Sequence, residues 1–131
     1  MRRTIFTFIM LCFVTLTLQA QDVWTAAGSS TIFGSHWAET DTSNDLTDKG
    51  NGIWELTKTD CILEKNVKYE LKVVKNHSWA ESYPKTSANY VFMVEETGTY
   101  NVTIQFNETS HEVSVTTKKQ VVLLSAKRHG L

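Results

Sequence analysis

Apolar and polar residues alternate with a period of two along much of the chain. In Val67-Lys68-Tyr69-Glu70-Leu71-Lys72-Val73 the odd positions are apolar and the even ones charged. Such alternation puts one set of side chains on a buried face and the other toward solvent, which predicts a half-buried strand. Thr99 to Phe106 repeats the pattern, with Tyr100, Val102, Ile104 and Phe106 on one face, and Glu112 to Thr116 repeats it weakly. The segment Asn107–His111 between them is turn-like. Asn89 to Val94 is apolar on both faces and predicts a more central strand.

Two further strands are predicted at Val23–Ala27 and Ile53–Lys58, the second after the turn signal Lys49-Gly50-Asn51-Gly52. Ile62-Leu63 predicts a short edge piece, and Glu95-Glu96-Thr97-Gly98 a turn feeding the Tyr100 strand as a hairpin. No stretch carries the apolar spacing of a long amphipathic helix. Six to eight short strands with frequent turns predict an all-β fold, a single antiparallel β-sandwich. Gly28 to Leu46 departs from the ladder as a long polar excursion carrying Phe33 and Trp37.

The two ends read differently. Met1-Arg2-Arg3 precedes an apolar run from Ile5 to Leu18 and the step Gln19-Ala20-Gln21, the order of parts in a secretory signal peptide. Residues 1–20 are therefore expected to be a signal peptide, 21–117 the sandwich module, and 118–131 a tail or extra edge strand. The apolar run is too short to span a bilayer as a mature helix. Export follows as the expectation, to the periplasm, the cell surface or the medium. Cys12 lies within the signal segment, so Cys61 is the one cysteine of the expected mature chain, and no intramolecular disulfide can form. A core must then hold the domain alone, which a chain of about 110 residues can do by burying roughly two thirds of its unfolded surface.

Charge narrows the partners. Without Arg2 and Arg3 the 13 basic residues fall to 11 against 14 acidic, a formal charge of −3 with no long block of either sign. Such a surface offers nucleic acid or an anionic membrane no electrostatic footprint. Catalytic signatures are also missing: there is no Gly-x-Ser-x-Gly elbow, no phosphate loop and no His-Glu-x-x-His pair. His36, His77, His111 and His129 lie far apart without ligand spacing, so neither a metal nor a cofactor is expected. Cys61 reads as a small buried hydrophobe.

The aromatic residues carry more information. Trp24 and Trp54 fall within strands and read as core. Trp37, Trp79 and Tyr83 stand among Ser, His, Glu and Asn, in segments that read as loops, where a large ring either plugs the end of the sandwich or faces a ligand. Lys68, Glu70 and Lys72 share the outward face of one strand, and continuing the alternation puts Asn76 on the same side. A flat indole beside an ammonium and an amide suits a pyranose. The ring covers the sugar's C–H face and the polar groups take its hydroxyls.

Taken in order, Ala26-Ala27-Gly28-Ser29, Trp37, Asp45-Leu46-Thr47, Gly52-Ile53-Trp54, Tyr69-Glu70-Leu71-Lys72-Val73-Val74, Asn76-His77-Ser78-Trp79 and Tyr83 resemble one family. It comprises the small β-sandwich modules of bacterial pullulanases and of SusE/SusF-type starch-binding outer-membrane proteins of Bacteroidetes. The resemblance runs from about Val23 to Thr117. It implies an immunoglobulin-like sandwich, no catalysis, and binding of starch-type α-glucan on exposed aromatics flanked by Lys and Asn. Carried over, it implies a carbohydrate site of Trp37, Lys72, Asn76, Trp79 and Tyr83, with other envelope glycan-utilisation proteins as further partners. Two departures stand out. Ala38-Glu39 follows the first Trp where the family often has Asp-Pro, and Ala80 follows the second where it often has Asp. The alternative expectation is an envelope protein–protein interaction module that retains the sandwich and has lost the sugar.

Overall fold

The computed structural model of the chain describes residues 20–121. The expected signal peptide as far as residue 19, and the tail beyond residue 121, lie outside the described residues. Eight strands run through the described part: β1 (Trp24–Gly28), β2 (Thr47–Gly50), β3 (Ile53–Leu63), β4 (Tyr69–Lys75), β5 (Ser78–Tyr83), β6 (Tyr90–Phe92), β7 (Gly98–Asn107) and β8 (Glu112–Lys119). They form two antiparallel sheets. In one, β4 is central, with β1 on one side and both β5 and β6 on the other. The second sheet runs β2-β3-β7-β8. The chain is an all-β sandwich, as the alternation predicts.

Period-two patterning decides which residues meet between the sheets. Leu71 and Val73 of β4 face Val102, Ile104 and Phe106 of β7 across the core, all fully buried. Burying side chains of this size stabilises the fold by about 1.5–3 kcal/mol each. Trp24 packs its ring 4.4 Å from Phe106, and Trp54 is buried while its indole N–H donates to Glu108 Oε1 at 2.9 Å. Both readings of these tryptophans as core residues hold. Cys61 is buried too, and that burial pushes its thiol up from the ordinary range.

Several expectations are corrected by pairing partners remote in sequence. Ile62-Leu63 is the far end of β3, which continues past an irregularity after Lys58 and pairs with Thr99 and Gly98. Asn89–Val94 is not central: only Tyr90–Phe92 pairs, at a sheet edge against Tyr69–Leu71, with Val91 and Met93 exposed. The turn at 95–97 closes no hairpin, because β6 and β7 belong to different sheets. The polar excursion contains a short helix, α1 (Ser30–Phe33), that buries Ile32 and Phe33, then a single 3-10 turn at Thr42–Asn44, and β2 follows directly after the excursion. Lys118 and Lys119, assigned to the tail, are the end of β8.

One close approach sets the position of the excursion. A Cβ on Gly28 would lie 2.1 Å from Glu70 O, so only glycine lets the end of β1 meet β4 here. With that contact made, Ser29 N–H donates to Glu70 O at 3.0 Å and Trp37 N–H donates to Gly28 O at 3.0 Å. The sequence position of Trp37 is thereby converted to a place beside the sheet.

Candidate functional site

Trp79 is on a strand, not in a loop. β4 turns directly into β5 through the two residues Asn76-His77, both at positive φ (52° and 56°). Positive φ at both centres is what a two-residue type I′ hairpin requires. The ladder then breaks: Lys75 lies opposite Ser78 but Val74 lies opposite Ser82. Trp79, Ala80 and Glu81 are the surplus residues of this bulge on an edge strand. Bulges bend the strand and re-aim its side chains, and Trp79 is left 41% exposed.

Trp37 reaches the same place from the excursion. Its backbone is left-handed, with φ 51°, a conformation that costs a non-glycine residue about 1–3 kcal/mol and persists only where surroundings impose it. The half-buried indole lies 6.2 Å from that of Trp79, centroid to centroid, with a 45° angle between planes. The exposed His36 ring stands edge-on to Trp37 at 6.5 Å and 86°. Two residues forty-two positions apart therefore form one tilted, solvent-facing aromatic surface. Segment 35–45 is braced internally by Asp41, whose carboxylate accepts from Ser35 Oγ (2.6 Å), Ser43 Oγ (2.6 Å) and Ser43 N (3.0 Å). Those donors hold Asp41 below the usual carboxylate range.

The other three expected site residues are turned to structural work. Lys72 does lie on the outward face of β4, but that face is covered. Its ammonium donates to Pro84 O, to Thr86 O at 2.7 Å and to Ala88 O at 3.1 Å, using all three of its N–H groups. The residue is 9% exposed, and burial pulls its pKa down from the ordinary lysine value. Asn76 is exposed, yet its carboxamide accepts from Val23 N at 2.8 Å and donates to Asp22 Oδ1 at 3.2 Å, tying the hairpin to the approach to β1.

Tyr83 lies opposite Val73 and points inward. It is 3% exposed, stacked 4.2 Å from His111 at 15° and 5.5 Å from Phe106. Its hydroxyl donates to Glu81 Oε2 at 2.5 Å. That bond, with burial, pushes the phenol up to about 12, and the same bond, against the effect of burial, holds Glu81 below the usual carboxylate range. Lys72, Asn76 and Tyr83 thus have their polar groups engaged within the protein, whereas the structure brings Trp37 and Trp79 together.

What sequence reading missed is the contact between the two segments. Asp45 Oδ1 accepts from Thr25 Oγ1 at 2.6 Å and meets His77 Nε2 at 2.8 Å. The signal was faint. Asn76-His77 fits the left-handed tolerance of Asn, but a histidine at the second centre of such a turn stands where glycine is the ordinary choice.

Among the described residues no group of three His, Cys, Asp or Glu side chains is placed to hold a metal ion. No helix among them is long and apolar enough to cross a membrane. The family model described as the pullulanase X25 domain matches residues 14–113 of the chain. That family is one of carbohydrate-binding modules rather than of catalytic domains. Comparison with curated proteins gives no match.

Proposed function

The chain belongs to the pullulanase X25 domain family, and from that premise we propose that it is an exported, non-catalytic module that binds starch-type α-glucan on the Trp37–Trp79 surface. The observation carrying this reading is the pair of accessible indoles 6.2 Å apart and inclined at 45°. Successive glucose units of an α-1,4 chain turn relative to one another. Two inclined rings match neighbouring faces of such a chain better than they match a flat β-glucan ribbon. Each indole face offers negative charge to the weakly positive C–H face of a pyranose. His36 beside Trp37, and Ser78 next to Trp79, supply polar groups at the rim in place of Lys72 and Asn76.

A surface this open, with few converging polar groups, supports weak binding. A dissociation constant near 1 mM corresponds to about −4 kcal/mol, and only multiplied modules would raise it. The engagement of Lys72 and Asn76 inside the protein favours one competing reading, that the sandwich recognises an envelope protein through the same two indoles.

Native gels containing amylopectin, glycogen or a β-glucan separate the readings. Retardation of the 21–131 protein by the two α-glucans alone is the expected result, and Trp79→Ala should abolish it without lowering the unfolding midpoint. Equal migration in all gels would remove the glucan reading and leave the protein partner.

A further inference from the structure

We propose that His77 is the positioning residue of the two-indole surface, clamping the Trp79 hairpin to the Trp37 segment through Asp45. The inference rests on the glucan reading for its binding consequence, though not for its structural one. The two rings stand on different pieces of chain, one in the 35–46 excursion and one on the bulge of β5, so no strand ladder sets the angle between them. Among the described residues, a single hydrogen bond joins residues 35–46 to the β4–β5 hairpin, the contact of 2.8 Å between His77 Nε2 and Asp45 Oδ1; the other bonds of the excursion to β4 are made at its start, by Ser29 to Glu70. Asp45 is itself fixed. It forms an isolated bridge with Thr25, and the hydroxyl of that fully buried threonine donates to the same Oδ1 at 2.6 Å.

The chemistry of the pair is directional. A carboxylate oxygen only accepts, so Nε2 of His77 carries the proton and donates. The side chains of His77 and Asp45 are 30% and 29% exposed, sheltered enough for the bond to hold a geometry and open enough for it to break without a buried orphan. His77 sits at φ 56°, where a histidine is strained and glycine is not. Local conformation therefore argues against this residue, and the reach to Asp45 is what accounts for it. Two residues further on stands Trp79, and eight residues before Asp45 stands Trp37. Holding Asp45 and His77 together fixes the approach of the two indoles.

His77→Gly tests this cleanly, because Asn-Gly is the strongest two-residue hairpin signal and the turn survives the change. Two readouts are taken on the 21–131 protein. The first needs no ligand: the exciton-coupled circular-dichroism band of the indole pair, defined as the part that Trp79→Phe removes. The second is retardation by amylopectin. His77→Gly is expected to lose most of the coupled band and about tenfold in affinity while its urea midpoint stays at or above that of the wild type. His77→Gln, whose amide N–H reaches about as far as Nε2–H, should restore both.

A His77→Gly protein with the wild-type band and affinity, or a His77→Gln protein as impaired as His77→Gly, would overturn the proposal. A coupled band that His77→Gly abolishes and His77→Gln restores, in a wild type that binds no glucan, would sustain the clamp and remove the glucan reading. Glucan binding at wild-type strength in a His77→Gly protein that keeps the coupled band would do the reverse.

Discussion

Replacing Lys72 by methionine separates what its sequence context implies from what its surroundings do. Were the ammonium a sugar ligand, Lys72→Met would weaken glucan binding and leave stability alone. The structure instead has the ammonium donating to the carbonyls of Pro84, Thr86 and Ala88, holding the 84–88 segment over β4. Hydrogen bonds from a charged donor contribute about 1.5–3 kcal/mol each, so three give about 4.5–9 kcal/mol gross. Two terms offset most of that. Methionine removes the several-kcal/mol penalty of keeping an ion away from water, and Thr86 and Ala88 are exposed, so their carbonyls regain solvent. A net loss of about 2 kcal/mol remains. At an m-value near 2 kcal/mol/M that is about 1 M in the urea midpoint, or about 10 °C in melting temperature. Urea unfolding followed by tryptophan fluorescence gives the first number. Amylopectin gel retardation, at concentrations where both proteins are folded, gives the second comparison, expected to differ by less than about threefold. An unchanged midpoint with lost retardation would refute the reasoning and return Lys72 to the binding surface.

Two other outcomes follow from the same packing. Gly28→Ala sets a Cβ 2.1 Å from Glu70 O, and relieving such an overlap in a packed sheet costs about 3 kcal/mol. Its urea midpoint should fall accordingly, and a midpoint within error of the wild type would mean that β1 can move away from β4 at no cost. Tyr83→Phe keeps the stack on His111 and should leave glucan retardation unchanged. The phenol is raised in the fold to about 12 from an ordinary value of 10.0, so its contribution is complete below pH 10 and vanishes as pH rises from there toward about 12. The gap in urea midpoint between wild type and Tyr83→Phe should close over that interval, and a gap that persists above it would sink the account of the Tyr83–Glu81 bond.

The alternation of residues along the chain was enough to determine much of this molecule. It located β1, the first half of β3, and β4, β7 and β8, and it identified the inward sets Leu71 and Val73 and Val102, Ile104 and Phe106. These are local facts, because a period of two states which side chains share a face whatever lies opposite. The singling out of Trp37 and Trp79 belongs with them, since large rings in polar surroundings are visible in composition alone. What the pattern does not contain is the identity of the cover on a face. Lys72 is outward by alternation and buried in fact, because residues 84–88 fold across it. Tyr83 reads as a loop residue, but pairs with Val73 and turns into the core. Asn76 spends its carboxamide on a segment fifty-three residues earlier. The union of Trp37 with Trp79, and the Thr25–Asp45–His77 contact beside it, depend on a glycine-sized gap between β1 and β4 and on one bulge in β5. Strand propensity is written in neighbours two residues apart, whereas these contacts are between segments that only the finished sandwich brings within hydrogen-bonding distance.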